Sequence, residues 1–262
     1  MSDWIHNLPV PVMALVVFGF TYLLAAIILV SVSALATGER AKSFKAVSVG
    51  MLPVLGIIFG LFVAFTAAQV WADNDRAGAA VSREASALRE VTLLAAGLPA
   101  EQQARLTELI RRYVEQAVTV EWPMMASQTA SLRATPVALA EALQGIVAMA
   151  STGGGQQTAQ REIVAALGTA LDARRQRIIV SQAEVNPVKW WCLYLQALCE
   201  LIVIALVHCD NRLTSAIALG LFATGVAASV LLIAAHDRPF TGQISVGPGP
   251  LLQIMPEQAA KG

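Results

Sequence analysis

Residues 10–35 read VPVMALVVFGFTYLLAAIILVSVSAL, a stretch without a single charged side chain. About 20 apolar residues in a helix are enough to cross the hydrocarbon core of a bilayer, which is roughly 30 Å thick. Three further stretches meet the same criterion, at residues 47–71, 188–208 and 213–235. Each is expected to be helical, because lipid cannot satisfy open backbone groups. The sequence therefore predicts four membrane-spanning helices.

The composition of the whole chain agrees with a membrane protein. Of its 262 residues, 56% are hydrophobic and 14% are charged, and the mean hydropathy is +0.61. A soluble globular domain has a more polar mixture. Lys and Arg together number 18, as do Asp and Glu, so the net charge is zero and no basic arm indicates a nucleic-acid partner. The predicted environment is a lipid bilayer.

The block between the second and third apolar stretches, residues 72–187, has a different pattern. It contains most of the charges of the chain, and its apolar residues recur at helical spacing, for example at Leu106, Ile110 and Tyr113. No alternating strand pattern competes with this periodicity. Trp122-Pro123 is expected to end one of the helices, because proline removes a backbone donor. The block is predicted to be soluble and helical.

These observations predict an all-α fold class, a four-span α-helical integral membrane protein with a soluble helical domain inserted between two transmembrane hairpins. The hairpins are residues 1–71 and 188–235, the soluble domain is residues 72–187, and a C-terminal tail covers residues 236–262. Two crossings separate each soluble part from the next. The N-terminal tail, the helical domain and the C-terminal tail are therefore expected on the same side of the membrane.

The junctions between spans and soluble parts carry further expectations. No proline separates Phe65 from Glu90, so the second span is expected to continue into the soluble block as one helix. Asn186-Pro187 is predicted to be the N-cap and first-turn proline of the third span. The basic residues of the short 36–46 loop favour a cytoplasmic position for this loop, because short positively charged loops tend to stay inside.

Glu200 is the first candidate for a functional residue within the spans. It lies near the middle of WWCLYLQALCELIVIALVH, and Gln196 lies one turn earlier on the same face. A carboxylate at bilayer depth costs about 3 kcal/mol on insertion scales, so it normally faces a bundle interior, a wet cavity or a partner group. One interpretation is a pore or intramembrane polar site. The other is a protonated carboxyl that joins helices through hydrogen bonds. The candidate neighbours are Gln196, Thr66, Thr21 and Tyr22.

The second span also contains small residues and a proline. Gly56 and Gly60 form a G-x-x-x-G pattern, which is typical of close helix packing. Pro53 precedes them and is able to kink a helix, and a kink in the inner helix of a channel can gate it. Packing within the bundle or between subunits is the favoured interpretation of all three residues.

No pattern in the sequence predicts catalysis, a cofactor or a metal ion. His208, Cys209 and Asp210 are consecutive, so on a helix they diverge and cannot jointly face one ion. No Ser-His-Asp order, phosphate-binding loop or H-E-x-x-H pattern occurs. The basic turn LDARRQRI is interpreted either as an anion-attracting surface or as a solvated face paired with local acids such as Asp172. We therefore expect a protein that is not an enzyme.

A series of short motifs runs through most of the chain: GIIFGLFVAF in the second span, then REASAL, EWP, ARRQR and DRPF. Each motif is weak alone, but together and in this order they are specific, and the chain resembles the bacterial bestrophin-like family. Glu200 is not part of this pattern. The matching positions treated as structural are Trp71, Glu84, Tyr113, Glu121, Trp122, Pro123, Arg174, Arg175, Arg177, Asp237, Arg238, Pro239, Phe240 and Gly242.

The resemblance implies four spans with an inserted helical domain in a bacterial inner-membrane protein. The leading functional hypothesis is a homo-oligomeric channel or channel-like transporter for small ions, with the second span lining a subunit interface and the soluble helices and their arginines forming a vestibule. Anions are favoured only through the family name. The alternative is a non-conducting membrane scaffold or sensor whose helical domain binds a partner protein. Trp122 and Phe240 are also predicted to dock the tail onto the helical domain.

Overall fold

The computed structural model describes residues 8–36, 43–44, 50–133, 135–150 and 153–255. These residues are mostly helical, and no strand occurs among them. The α-helices are α1 (Val10–Leu35), α2 (Leu52–Leu94), α3 (Ala100–Gln116), α4 (Trp122–Ala126), α5 (Val137–Ala148), α6 (Gly154–Val180), α7 (Pro187–Val207), α8 (Arg212–His236) and α9 (Gly249–Leu252). The predicted all-α fold class is confirmed.

Four helical segments are long and apolar enough to cross a membrane: α1, Leu52–Gly97, α7 and α8. They correspond to the four apolar stretches in the sequence. The chain is therefore an integral membrane protein with four candidate spans. Most of the 36–46 loop, which was expected to be cytoplasmic, lies outside the described residues. Ser151 and Thr152, before helix α6, also lie outside them.

The second span belongs to a single helix of 43 residues, Leu52–Leu94, so its predicted continuation beyond the apolar stretch is confirmed. The suggestion that Pro53 could kink this helix does not apply, because the helix starts at Leu52 and Pro53 lies in its first turn. Backbone donors in the first turn have no partner within the helix, and proline is therefore tolerated there without bending it.

The predicted helix end at Trp122-Pro123 is also wrong. A π-helix at Ala117–Glu121 follows α3 directly, and α4 continues the helix to Ala126 with Pro123 in its first turn. Proline normally clashes with the carbonyl of the preceding turn and lacks the donor that turn needs. The change from the wider π-helical turn to α4 falls beside Pro123, where the regular hydrogen-bond ladder is already interrupted.

One compact unit combines residues up to Ala72 with Glu184–Asp237. Within it α1 packs along α8, and α7 packs against both helices. The predicted start of α7 is confirmed, because the side chain of Asn186 accepts a hydrogen bond from the Val188 N–H at 2.8 Å and Pro187 follows it. Trp190 is buried and stacks on Tyr194, whereas Trp191 is exposed.

The other compact unit combines Asp73–Ala183 with residues from Arg238 onward. In this unit α3 packs on α5, and α5 packs on α6. Apolar side chains from the second half of α2 and from these three helices form the core. Leu251 of α9 is fully buried in the same core. Residues of the C-terminal tail are thus part of the helical unit.

Candidate functional site

A buried ion network lies in the helical unit. The Nε atom of Arg177 donates to Glu84 Oε2 at 2.7 Å, and its Nη2 atom donates to Glu84 Oε1 at 3.1 Å. Both side chains are completely buried. The pair is bidentate, the geometry in which a guanidinium and a carboxylate bind most strongly. Helices α2 and α6 supply the two residues, which are 93 positions apart in the sequence.

Two further charges complete the network. The Nη2 atom of Arg177 also donates to Glu121 Oε2 at 2.9 Å. Arg174 donates to Glu121 Oε1 from Nε at 2.9 Å and from Nη2 at 2.6 Å. The network thus joins two arginines and two carboxylates, so its formal charge is zero. Such neutrality is needed because an unpaired buried charge is strongly destabilising.

The π-helix helps to aim Glu121 into this network. In a regular α-helix, residues eight positions apart differ by roughly 80° around the axis. Tyr113 and Glu121 have this separation, and the wider turn of Ala117–Glu121 reduces the angle between them. Both side chains are buried. The local widening therefore lets one continuous helix present two polar side chains to the same interior.

Tyr113 adds a neutral donor to the network. Its hydroxyl donates a short hydrogen bond to Glu84 Oε1. Burial and the charge of Glu84 raise the pKa of Tyr113 well above its usual value. For Arg177, burial alone would lower the pKa, but the charge and hydrogen bonds of Glu84 more than offset this effect and raise it. The phenol remains neutral and the guanidinium remains charged.

Trp122 connects the network with the C-terminal tail. Its ring lies 4.8 Å from the Arg177 guanidinium carbon, a cation–π contact. The ring of Phe240 packs edge-on against Trp122, with the ring centroids 5.7 Å apart. The indole N–H donates to the Val246 carbonyl at 3.2 Å, and the Thr241 hydroxyl donates to the Ala126 carbonyl at 2.7 Å. The predicted contact between Trp122 and Phe240 is present.

The other residues of the motif series differ in burial and in the compact unit to which they belong. Arg175 is exposed, whereas Arg174 and Arg177 are buried and bind Glu121 and Glu84. The suggestion that these three arginines form an anion-attracting surface therefore fits Arg175 alone. In the spanning unit, Asp237 Oδ1 accepts from the Val185 N–H at 2.6 Å. Other positions in the motif set are Trp71, which is exposed, Pro239, which is buried, Arg238, which is half-buried, and Gly242, whose φ of 85° favours glycine.

The spanning unit contains a second polar feature, centred on Glu200. This residue is only 3% exposed, and its Oε2 atom is buried without a hydrogen-bond partner among the described residues. The Oε1 atom of Gln196, one turn earlier, is also buried without a donor. A Cβ atom added at Gly56 would lie 3.3 Å from Glu200 Oε1. Helix α2 therefore approaches the carboxylate at a residue without a side chain.

The hydroxyls named as candidate neighbours of Glu200 form hydrogen bonds with other groups. Thr66 donates to the Phe62 carbonyl and Thr21 donates to the Val17 carbonyl, both at 2.8 Å and both within their own helices. Tyr22 pairs with Thr224 at 2.8 Å. Among the described residues, no hydrogen bond joins Glu200 to Thr66, Thr21 or Tyr22. At Gly60, by contrast, an added Cβ atom would have no neighbour within 4 Å among the described residues beyond the adjacent residues and backbone of its own helix.

The sequence did not reveal how these side chains would be grouped. Met125, which accepts a hydrogen bond from Arg177 at 3.3 Å, and Thr241 were not singled out by sequence. Neither carries a chemical pattern that would have identified it.

A comparison with known families supplies independent information. A family model described as a bestrophin-like domain matches residues 19–251. None of the curated proteins or solved structures compared with the chain matches it.

Proposed function

The chain belongs to the bestrophin-like family, and we propose that its copies assemble in the bilayer as a homo-oligomeric channel or channel-like transporter for small ions. Four apolar helices place the protein in a membrane.

The buried carboxyl group of Glu200 is the observation that supports transport. Ionisable residues within spans are rare and costly, and they commonly mark ion pathways or proton relays. A purely structural carboxyl would be expected to have a hydrogen-bond partner, since unsatisfied buried polar groups are destabilising. The Oε2 atom of Glu200 is buried and has none among the described residues. An ion that binds at this position would offset the cost of burying the group.

Oligomerisation provides the route that a single chain lacks. A bundle of four helices has little room for a wet path. The spanning part of α2 leaves large apolar side chains exposed, including Val54, Ile57, Leu61 and Phe65. This surface is available to lipid or to another subunit, and we propose that part of it lines a subunit interface. Closed cyclic symmetry is the usual arrangement of such assemblies.

Ion flux through the purified protein in liposomes tests the proposal, together with a subunit count of the same preparation in detergent. We expect a discrete oligomer and a flux that exceeds that of protein-free liposomes under an imposed ion gradient. A folded oligomer without flux under any gradient would contradict transport. A strict monomer would contradict a path between subunits.

A non-conducting scaffold or sensor is the second candidate, and one observation favours it. The hydroxyls of Thr21 and Thr66 are occupied by carbonyls of their own helices, so they add little polar lining for water or ions. In this case the spans anchor the helical unit, which binds a partner protein. Neither candidate assigns the protein an enzymatic reaction.

A further inference from the structure

The polar groups around Glu200 indicate the charge of the ion that this position accepts. An ionised carboxylate only accepts hydrogen bonds, and the oxygen of an amide is likewise an acceptor. The atoms that are buried without a donor are Glu200 Oε2 and Gln196 Oε1. Both atoms attract a positive charge, and neither binds an anion.

The distribution of charged groups on the spanning helices also favours a cation over an anion. Helix α1 and the spanning part of α2 contain no Asp, Glu, Lys, Arg or His. On α8 the basic groups are at the first and last residues, Arg212 and His236. On α7 the only basic residue is Lys189, in the first turn, where it donates to Gln69. No cationic side chain from these helices is placed to neutralise a carboxylate at mid-span.

The other titratable groups near this level of the bundle are also accounted for. On α1, Tyr22 is paired with Thr224 of α8. On α7, Tyr194 stacks on Trp190, and Cys199, next to Glu200 in the sequence, is exposed. Helix α2 contributes Gly56 at its closest approach to the carboxylate. Glu200 is thus the acidic group to which a cation would bind.

We propose that Glu200, with Gln196, forms an intramembrane binding site for a cation of unit charge, either a proton or an alkali-metal ion. The inference rests on the proposed transport function, since a site at this depth has a role only if ions reach it. A single positive charge neutralises one carboxylate, whereas a divalent ion would leave an excess charge at bilayer depth. The substrate class of the site is thus cationic, although the family name suggests anions.

Thermal unfolding of the purified, detergent-solubilised protein tests binding without requiring flux. The melting temperature is measured in LiCl, NaCl, KCl and N-methyl-D-glucamine chloride at constant ionic strength, and at several pH values. If an alkali ion binds, one of the three salts raises the melting temperature by about 5 °C at saturation. If a proton binds, the melting temperature of the wild type relative to that of Glu200→Gln rises as the pH falls, and it does not depend on the alkali ion.

Glu200→Gln removes the charge with little change of shape, so it should abolish the alkali-ion response and serves as the reference for the pH response. Gln196→Leu removes the second acceptor. It should raise the cation concentration needed for half of the maximal response at least tenfold, or shift the pH midpoint of the response. Glu162→Gln, on an exposed position of α6, is the matched control and should retain the wild-type response. An equal response of the wild-type protein and Glu200→Gln would overturn the inference. A melting temperature that changes only when chloride is replaced by gluconate would also overturn it.

The flux assay separates this inference from the proposed function. Flux that is insensitive to Glu200→Gln, with no cation or proton response in the melting experiment, would overturn the cation site and leave transport intact. A cation response that is lost in Glu200→Gln, in a protein without flux, would support the site and contradict transport.

Discussion

The guanidinium of Arg177 and the carboxylate of Glu84 form a bidentate ion pair between completely buried side chains, with Nε 2.7 Å from Oε2. Neither charge has access to water, so each depends on its partners within the helical unit. Glu121, Tyr113 and Trp122 surround the pair. The stability of the helical unit therefore depends strongly on this network.

Removing Arg177 from this network should strongly destabilise the helical unit. Truncating one partner of a buried ion pair costs about 3–5 kcal/mol, because the other charge remains buried and unpaired. We therefore expect Arg177→Met to lower the melting temperature of the purified protein by several degrees. Arg175→Met, two residues away on the exposed face of α6, is the matched control and should leave it nearly unchanged. Equal effects of the two substitutions would contradict the role assigned to Arg177.

The raised pKa of Tyr113 predicts a loss of stability at alkaline pH. The phenol is neutral in both states below its usual pKa of 10.0. Above that pH the unfolded chain releases the proton while the folded protein keeps it, so stability falls as the pH rises from about 10 through the raised folded pKa. Tyr113→Phe should remove this pH-dependent component.

Phenolate absorbance measures this difference directly in the protein, which has three tyrosines. Folded wild-type protein near pH 11 should show the same phenolate absorbance as Tyr113→Phe, and after denaturation the wild type should show one phenolate more than the variant. A larger phenolate signal in the folded wild type would show that Tyr113 ionises normally.

Phe240 should hold the C-terminal tail on the helical unit. Phe240→Ala removes a buried ring that packs against Trp122, and large-to-small substitutions of this kind cost about 3–5 kcal/mol. We expect faster protease cleavage in the tail. Ile244→Ala changes a side chain that is 44% exposed in the same segment and serves as the control. Cleavage at equal rates in both variants would argue against docking through Phe240.

Gly56 and Gly60 should respond differently to the same substitution. At Gly56 the added methyl group would lie 3.3 Å from Glu200 Oε1, so the carboxylate must move, whereas no such neighbour lies near Gly60. Alanine also favours a helix by about 1 kcal/mol over glycine. Gly60→Ala should therefore leave the melting temperature unchanged or raise it, and Gly56→Ala should lower it relative to Gly60→Ala. Identical melting temperatures would place Glu200 away from α2.

The spans were predictable because hydrophobic length is a local property of the sequence. The bilayer sets the same requirement for each of the four stretches, and the Asn186-Pro187 start of α7 follows from equally local capping chemistry. The positions of Pro53 and Pro123 were harder to interpret. Proline is compatible with the first turn of a helix as well as with its end, so its presence alone does not decide between these outcomes.

The grouping of polar side chains was not predictable from the sequence. Glu84 and Arg177 are 93 residues apart, and only the packing of α2 against α6 in the helical unit brings them together. The π-helix that presents Glu121 has no distinctive composition. Glu200 was identified by its chemistry, but its position against Gly56 and its lack of a hydrogen-bond partner depend on the tertiary arrangement of α2 and α7.

Transport that depends on the buried carboxyl group is measured by the ratio of ion flux through wild-type protein to that through Glu200→Gln, in liposomes prepared with equal amounts of folded protein. We expect the substitution to reduce the flux at least tenfold or to remove its dependence on pH, while Glu162→Gln behaves as the wild type. Equal flux through the wild type and Glu200→Gln at every pH would contradict a transport role for the buried carboxyl group.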